Sequence, residues 1–256
     1  MKIVVSVGGS VLARALVPEK FKSYAAALKE ISKKNTVFIV TGGGQAARDY
    51  ITTARELGAD EATCDYIGIE LTRLNARLLI AALGEAAYHE PPHDYKQAKN
   101  ASFGGRIVVM GGVSPGHTTD AVAAILAEYI GAELLINATS IDGVYTADPK
   151  KNKGAKKFET MTPKQLIEVV MKTEMVAGAN SPIDLLAAKV IERSNIRTIV
   201  LNGEEPRNIV DAVSGKHKGT VIEKDKSARS GSKPDKDDSG IDTCNLGYFS
   251  EKGCDY

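Results

Sequence analysis

The chain has 256 residues with 33 Lys+Arg against 32 Asp+Glu, a formal net charge of +1, and 43% hydrophobic residues. That length supports a sizeable core in one large domain or two modest ones, while the near-zero charge excludes a general polyanion binder, and 5% aromatics with no Trp exclude a stacking platform for single strands. No apolar run reaches the roughly 18 residues of a membrane helix, MKIVVSVGGS is too short in its apolar part for a signal peptide, and three Cys make no disulfide framework. The expectation is a cytoplasmic globular protein with no nucleic-acid and no membrane partner.

Ile3 to Val7 is a continuous apolar run, suited to a strand covered on both faces. Gly8-Gly9-Ser10 breaks it. Helical periodicity follows from Pro18 to Lys33, with Phe21, Ala25, Leu28 and Ile31 on one face. A second strand, Val37 to Thr41, ends in Gly42-Gly43-Gly44. Helices are expected from Ala46 to Leu57, closed by Gly58, and from Tyr66 to Leu83. Pro91 and Pro92 make residues 90–94 a loop. Ile107 to Met110 is a third apolar run, and it meets Gly111-Gly112. A helix from Asp120 to Ile130 has Thr118 or Thr119 to cap it. Glu133 to Ile136 reads as a strand, Pro163 to Met171 and Ile183 to Ser194 as helices, and Thr198 to Leu201 as a further strand. Strands alternating with helices predict a three-layer αβα sandwich around a mainly parallel sheet. After Ile222 the composition turns to Lys, Asp, Ser and Gly. Residues 1–222 are therefore expected to form the folded domain, and 223–256 a disordered or appended tail.

Three expected strand ends terminate in glycine: Gly8-Gly9-Ser10, Gly42-Gly43-Gly44 and Gly111-Gly112. In an open α/β sheet, ligands sit outside the carboxyl ends of the strands. There backbone N–H groups at helix N-termini bind anions. Any one of the three reads equally as a tight turn, whereas three on one sheet edge point to a ligand, with room for more than one phosphate. Gly42 to Ala47 fits G-x-G-x-x-A, but on the second strand rather than the first. Gly111 to Thr118 has P-loop-like spacing with His117 in place of the Lys, and a neutral imidazole cannot span two phosphates as an ammonium does. Residues 137–149 combine Asp-Gly and Asp-Pro turns with polar groups. They suit a polar hairpin or an adenosine pocket.

These residues resemble the amino acid kinase family, most closely its archaeal-type UMP kinases. The resemblance lies in Gly8-Gly-Ser10, Gly42-Gly-Gly44 with Arg48, Asp65 to Arg77, Gly116-His-Thr-Thr-Asp120, and Thr139 to Pro149. It covers residues 1 to 222. It implies ATP-dependent phosphorylation of UMP to UDP with Mg²⁺, in a homohexamer. By position, Gly9, Ser10, Gly44 and Arg48 would contact ATP phosphates, and Thr139, Asp142, Tyr145 and Asp148 would serve the adenosine side. Gly43, Asp65, Val113, Ser114, Pro115, Gly116, His117, Thr118 and Thr119 would hold UMP, with Asp65 at the ribose. Asp120 and Asp184, with Arg48, would orient charged groups around the transferring phosphoryl. No metal ligand set is assigned from the sequence. Ser6 stands where many members of the family carry a Lys, and Lys150 or Lys151 is considered as a replacement charge, against the commoner reading of a solvated run.

The nearest alternative is an isopentenyl phosphate kinase. Those enzymes carry a His after the second glycine loop, where Gln45-Ala-Ala-Arg48 stands here. A non-catalytic nucleotide or oxyanion binder on the same fold is the alternative from another class, and a nicotinamide-dependent dehydrogenase is the weakest. His89 and His93 are separated by two prolines and share no helix face. Cys64 reads as a packing residue, and Cys244 and Cys254 lie in the tail.

Overall fold

Alternation along the first strand serves two layers at once. Ile3, Val5 and Val7 point to one side of the sheet, and Val4 and Ser6 to the other. The structure, a computed structural model, describes residues 1–147, 149, 151–174 and 183–225. In chain order the elements are β1 (Lys2–Val7), α1 (Gly9–Leu12), α2 (Pro18–Ser32), β2 (Thr36–Thr41), α3 (Gly44–Glu56), α4 (Glu61–Leu83), α5 (Tyr95–Ala101), β3 (Val108–Met110), α6 (Thr119–Ile130), β4 (Leu134–Thr139), β5 (Thr160–Met161), α7 (Pro163–Glu174), α8 (Leu185–Ser194), β6 (Arg197–Asn202), α9 (Arg207–Val213) and β7 (Thr220–Ile222).

The seven strands are ordered β3-β2-β1-β4-β6-β7-β5. Every pair is parallel except β6 with β7. One core joins Ile3, Val5 and Val7 to Leu28 of α2, Leu79 of α4 and Ile209 of α9. The other joins Val4, Phe38 and Leu135 to Leu126 of α6, Val170 of α7 and Ile191 of α8. Helices on both faces of a largely parallel sheet make the expected three layers. Such strands read as near-continuous apolar runs because both their faces are dry.

Several boundaries differ from the sequence reading. Helix α4 starts at Glu61 rather than Tyr66, because the Asp60 side chain caps it by accepting from Thr63 N–H at 2.8 Å. Helix α8 starts after Asp184 rather than at Ile183, for the same reason. Strands β5 and β7 and helices α1 and α9 have two to seven residues, too short to leave a readable period. Met1–Lys224 form one compact unit. The Glu223 N–H still donates to Met161 O at 3.1 Å, one residue beyond the expected domain edge. The tail from 226 onward, with Cys244 and Cys254, lies outside the described residues. Cys64 is buried, with its thiol 3.9 Å from Ile51 O.

Sheet order sets where a ligand can go. Strand β1 pairs with β2 on one side and β4 on the other, so consecutive connections leave β1 in opposite directions. The crevice outside the carboxyl ends of β1 and β4 is the topological switch point. Directly beside it the turns after β1 and β2 touch. A Cβ on Gly9 would stand 2.1 Å from Gly44 N, and one on Gly42 would stand 2.3 Å from Gly9 N. Gly42→Ala forces these turns apart and is expected to lower the unfolding free energy by about 3 kcal/mol, the upper end for overpacking. Urea unfolding monitored by circular dichroism measures this.

Candidate functional site

The carboxyl edge of the sheet assembles the site from short segments of many elements. The turn after β1 presents Gly9 and Ser10 at the start of α1. The turn after β2 presents Gly43 and Gly44 at the start of α3, where Gly44 has φ +72 and so needs no Cβ. Arg48, in the first turns of α3, is exposed at this edge. Its guanidinium donates to Gln45 Oε1 from Nε at 3.2 Å, and Gln45 in turn donates to Asp49. This cation has not been taken up by a buried partner.

Helix α4 braces the second glycine turn and the loop after β3. Asn75 is buried and donates to Gly42 O at 2.8 Å and to Gly43 O at 3.1 Å. Thr72 Oγ1 accepts from Gly112 N–H at 2.6 Å, and its carbonyl accepts from the Thr41 hydroxyl at 2.9 Å. At the amino end of the same helix, Asp65 accepts from Gly116 N–H at 2.7 Å. One helix thus ties down the second glycine turn and the start and middle of the loop from Gly111 to Thr119. That loop holds Val113, Ser114, Pro115 and Gly116 as an open turn, with the His117 N–H donating to Ser114 O at 3.3 Å. His117 Nδ1 is buried and has no hydrogen-bond partner in this structure.

Beyond the loop, Thr118 rather than Thr119 caps α6, accepting from Ala121 N–H at 3.1 Å. The Thr118 hydroxyl donates to Asp184 Oδ2. Asp184 is itself the cap of α8, accepting from Ala187 N–H at 3.0 Å through its other oxygen. Two helix N-termini therefore meet through one Thr–Asp contact, and their positive ends favour an anion between them.

Asp120, in the first turn of α6, lies beneath this junction. Its carboxyl accepts from the Ser6 hydroxyl at 2.9 Å and hydrogen-bonds Asn137. Ser6 and Asn137 are register partners on β1 and β4, so the switch point carries Asp120's polar support. Desolvation dominates its titration: with the Asp184 charge added, it pushes the Asp120 carboxyl up to about 6, against the two hydrogen bonds.

The residues expected on the adenosine side sit after β4. Thr139 ends the strand, and its carbonyl accepts from Gly203 N–H at 2.8 Å. Tyr145 donates to Asp142 Oδ1 at 2.7 Å, and Lys157 Nζ donates to Asp142 Oδ2 at 2.9 Å. Both Asp142 oxygens are thus engaged within the loop. Asp148 and Lys150 lie outside the described residues, and Lys151 is exposed. His89 and His93 line a cavity of about 820 Å³ with Arg106, near the amino end of β3, away from the glycine turns. Among the described residues no group of three or more His, Cys, Asp or Glu is placed to hold a metal ion, and no helix is long and apolar enough to cross a membrane.

The sequence reading missed Thr72, Asn75, Asn137 and Lys157. Ser6 was noted only as a departure. Ser6 and Asn137 interrupt apolar runs, and that was the available signal, whereas Thr72 and Asn75 stand among the charged residues of α4 and carried none. Lys157 had no signal among the surrounding lysines.

The raised Asp120 value carries a stability consequence. Native pKa above the unfolded value means that the carboxylic acid form favours folding, so stability falls as pH rises from about 4 to about 6 and then levels off. The full shift corresponds to about 3 kcal/mol. Asp120→Asn removes that penalty. In urea unfolding of the ligand-free protein, its stability advantage over wild type is expected to grow between pH 4 and pH 6 and stay constant above.

The comparisons with known proteins agree with this geometry. The profile of the amino acid kinase family matches residues 1–202. A curated relative, the uridylate kinase of Methanococcoides burtonii, is 57% identical over 213 residues, covering 83% of this chain and 91% of its own length. The crystal structure of uridylate kinase from Archaeoglobus fulgidus is 52% identical with a TM-score of 0.80, covering 87% of this chain and 100% of that one. The UMP kinase of Ureaplasma parvum is 28% identical with a TM-score of 0.73, over 88% of this chain and 99% of its own. With its glycine turns on one edge of a largely parallel sheet and a family match across most of its length, the chain belongs to the amino acid kinase family.

Proposed function

We propose that this chain is an ATP-dependent UMP kinase, transferring the γ-phosphoryl group of ATP to UMP to give UDP and ADP, in the cytoplasm and as a step of pyrimidine nucleotide synthesis. The observation that carries the reading is the convergence of two glycine turns, the Gly111 to Thr119 loop and the amino ends of α6 and α8 on the β1/β4 switch point. Two polyanions laid end to end need that density of donors. The relatives at more than half identity are named uridylate kinases.

On this reading, Gly9, Ser10, Gly44 and Arg48 receive the ATP phosphates, and Thr139, Asp142, Tyr145 and Asp148 form the adenosine side. Gly43, Asp65 and the loop from Val113 to Thr119 receive UMP. A terminal phosphate oxygen of UMP attacks the γ-phosphorus. The new P–O bond forms as the β–γ bridging bond breaks, and that electron pair leaves on the β-phosphate of ADP. The attacking oxygen is already ionised near neutral pH, since the second phosphate pKa is about 6, so no strong base is required. Positioning and charge stabilisation supply the catalysis. Arg48 brings a mobile positive charge to the phosphates, while Asp120 and Asp184 hold the α6 and α8 ends in register.

The donor set suits a Mg²⁺ that arrives on the nucleotide. Such an ion takes most of its ligands from phosphate and water and only one or two carboxylates from protein. Asp120 fits, because it is desolvated and has no cation beside it, and Asp184 is near enough for its charge to act on Asp120. An ion held there would neutralise charge developing on the phosphates. A homohexamer belongs to the same reading. Tyr66, Leu74 and Leu78 are exposed along α4 and form an apolar stripe for another copy to cover.

Purified protein with Mg·ATP is expected to turn over UMP at least tenfold faster than CMP, AMP or isopentenyl phosphate, measured as coupled ADP release. Preference for isopentenyl phosphate, or ATP binding without turnover, would replace this reading with one of its alternatives. A chain ended after Lys224 is expected to keep UMP turnover within twofold, because Met1–Lys224 form one compact unit that contains every residue of the proposed site.

A further inference from the structure

We infer that Lys157 is a positioning residue for the donor nucleotide: it neutralises Asp142 and locks the loop that carries Tyr145. The inference rests on the donor side of the proposed function. Residues 142–146 and 156–158 form a small hairpin outside β4. Tyr145 bridges to Lys157, Thr146 N–H donates to Lys156 O at 2.9 Å, and Phe158 N–H donates to Val144 O at 2.9 Å. The hairpin is fixed to β7 through Thr220, whose Oγ1 accepts from Val144 N–H at 2.8 Å and donates to Phe158 O at 2.5 Å.

Lys157 lies across this arrangement. Its alkyl stem passes Gly143, where a Cβ would stand 2.9 Å from Lys157 Cδ. Its Nζ donates both to Asp142 Oδ2 and to Lys218 O, each at 2.9 Å. The other Asp142 oxygen accepts from Tyr145. Burial opposes the Asp142 carboxylate, yet the Lys157 and Tyr145 hydrogen bonds and the Lys157 charge outweigh it, so the carboxyl titrates below its ordinary value. Asp142 is therefore ionised at neutral pH, with one donor on each oxygen. It orients Tyr145 and leaves the phenol ring, rather than its hydroxyl, to meet a nucleotide.

The chemistry explains why a cation is needed here. A bare carboxylate beside the binding place of a triphosphate repels it, and that repulsion is screened by salt. Lys157 cancels the charge within the loop. It differs in this from Arg48, which is exposed at the sheet edge.

The test is steady-state kinetics of wild type, K157M, K157R and the double variant D142N/K157M, with folding checked by circular dichroism. K157M is expected to raise KM for ATP about three- to tenfold, with kcat and KM for UMP within twofold. That increase should shrink as ionic strength rises from 0.05 to 0.5 M, K157R should stay near wild type, and D142N/K157M should recover much of the loss. An ATP KM unchanged in K157M overturns the inference. So does an increase that is insensitive to salt and not relieved in the double variant, which marks a purely structural lysine. Wild-type turnover of UMP in the same experiment separates this outcome from failure of the proposed function. Should K157M fold poorly, K157Q with its amide able to reach Asp142 provides the same salt series, and an unchanged ATP KM there also overturns the inference.

Discussion

Adjacent parallel strands can send their turns to the same place only if the turns have no side chains where they meet. Gly9 and Gly42 satisfy that constraint by backbone contact, and Gly44 completes it with a positive φ that brings the start of α3 against Ala13. The close approach has a second effect. It directs the amino ends of α1 and α3 toward one spot, so N–H groups that would otherwise be solvated are held ready for an anion. Packing and binding thus impose the same residue type for different reasons.

The opposite wall of the crevice is held by polar side chains rather than by glycine. Thr72 and Asn75 spend their hydrogen-bonding capacity on backbone groups of the second and third turns. Thr118 and Asp184 do the same for two helix ends. Asn75 is buried, where a polar group is stable only when paired, and each of the four fixes a loop or helix end through its hydrogen bonds. The resulting site is rigid along α4 and the sheet, while Arg48 extends from it into solvent. A braced cradle with an exposed guanidinium at its edge suits the proposed reaction, in which placement matters more than covalent chemistry.

Asp120 stands at the centre of this balance. It has two neutral hydrogen-bond partners and a neighbouring carboxylate, but no fixed cation. After β4 the arrangement is reversed: Asp142 has Lys157 and Tyr145 on its two oxygens while its side chain stays about half exposed. On the proposed reading, Asp120 would take a charge that arrives with the substrate, and Lys157 would offset the repulsion that Asp142 exerts on it. The same residue type has two roles because the surrounding charges differ.

Much of this was legible in the sequence. Apolar runs spaced by helices dictated a parallel αβα sandwich, because strands covered on both faces must be continuously hydrophobic. Glycines at three run ends marked the binding edge, because only a turn without side chains follows such strands closely. What the tertiary structure alone decided is which polar residues meet. Ser6 and Asn137 are 131 positions apart and become neighbours only through the β1/β4 register. Asp184 reaches Thr118 across 66 positions because α6 and α8 pack side by side. Lys157, one of several similar lysines, is singled out by the hairpin that lays it on Asp142. Local pattern encodes what each segment needs to bury, whereas partners for polar side chains depend on sheet order and helix packing, which no single stretch of chain contains.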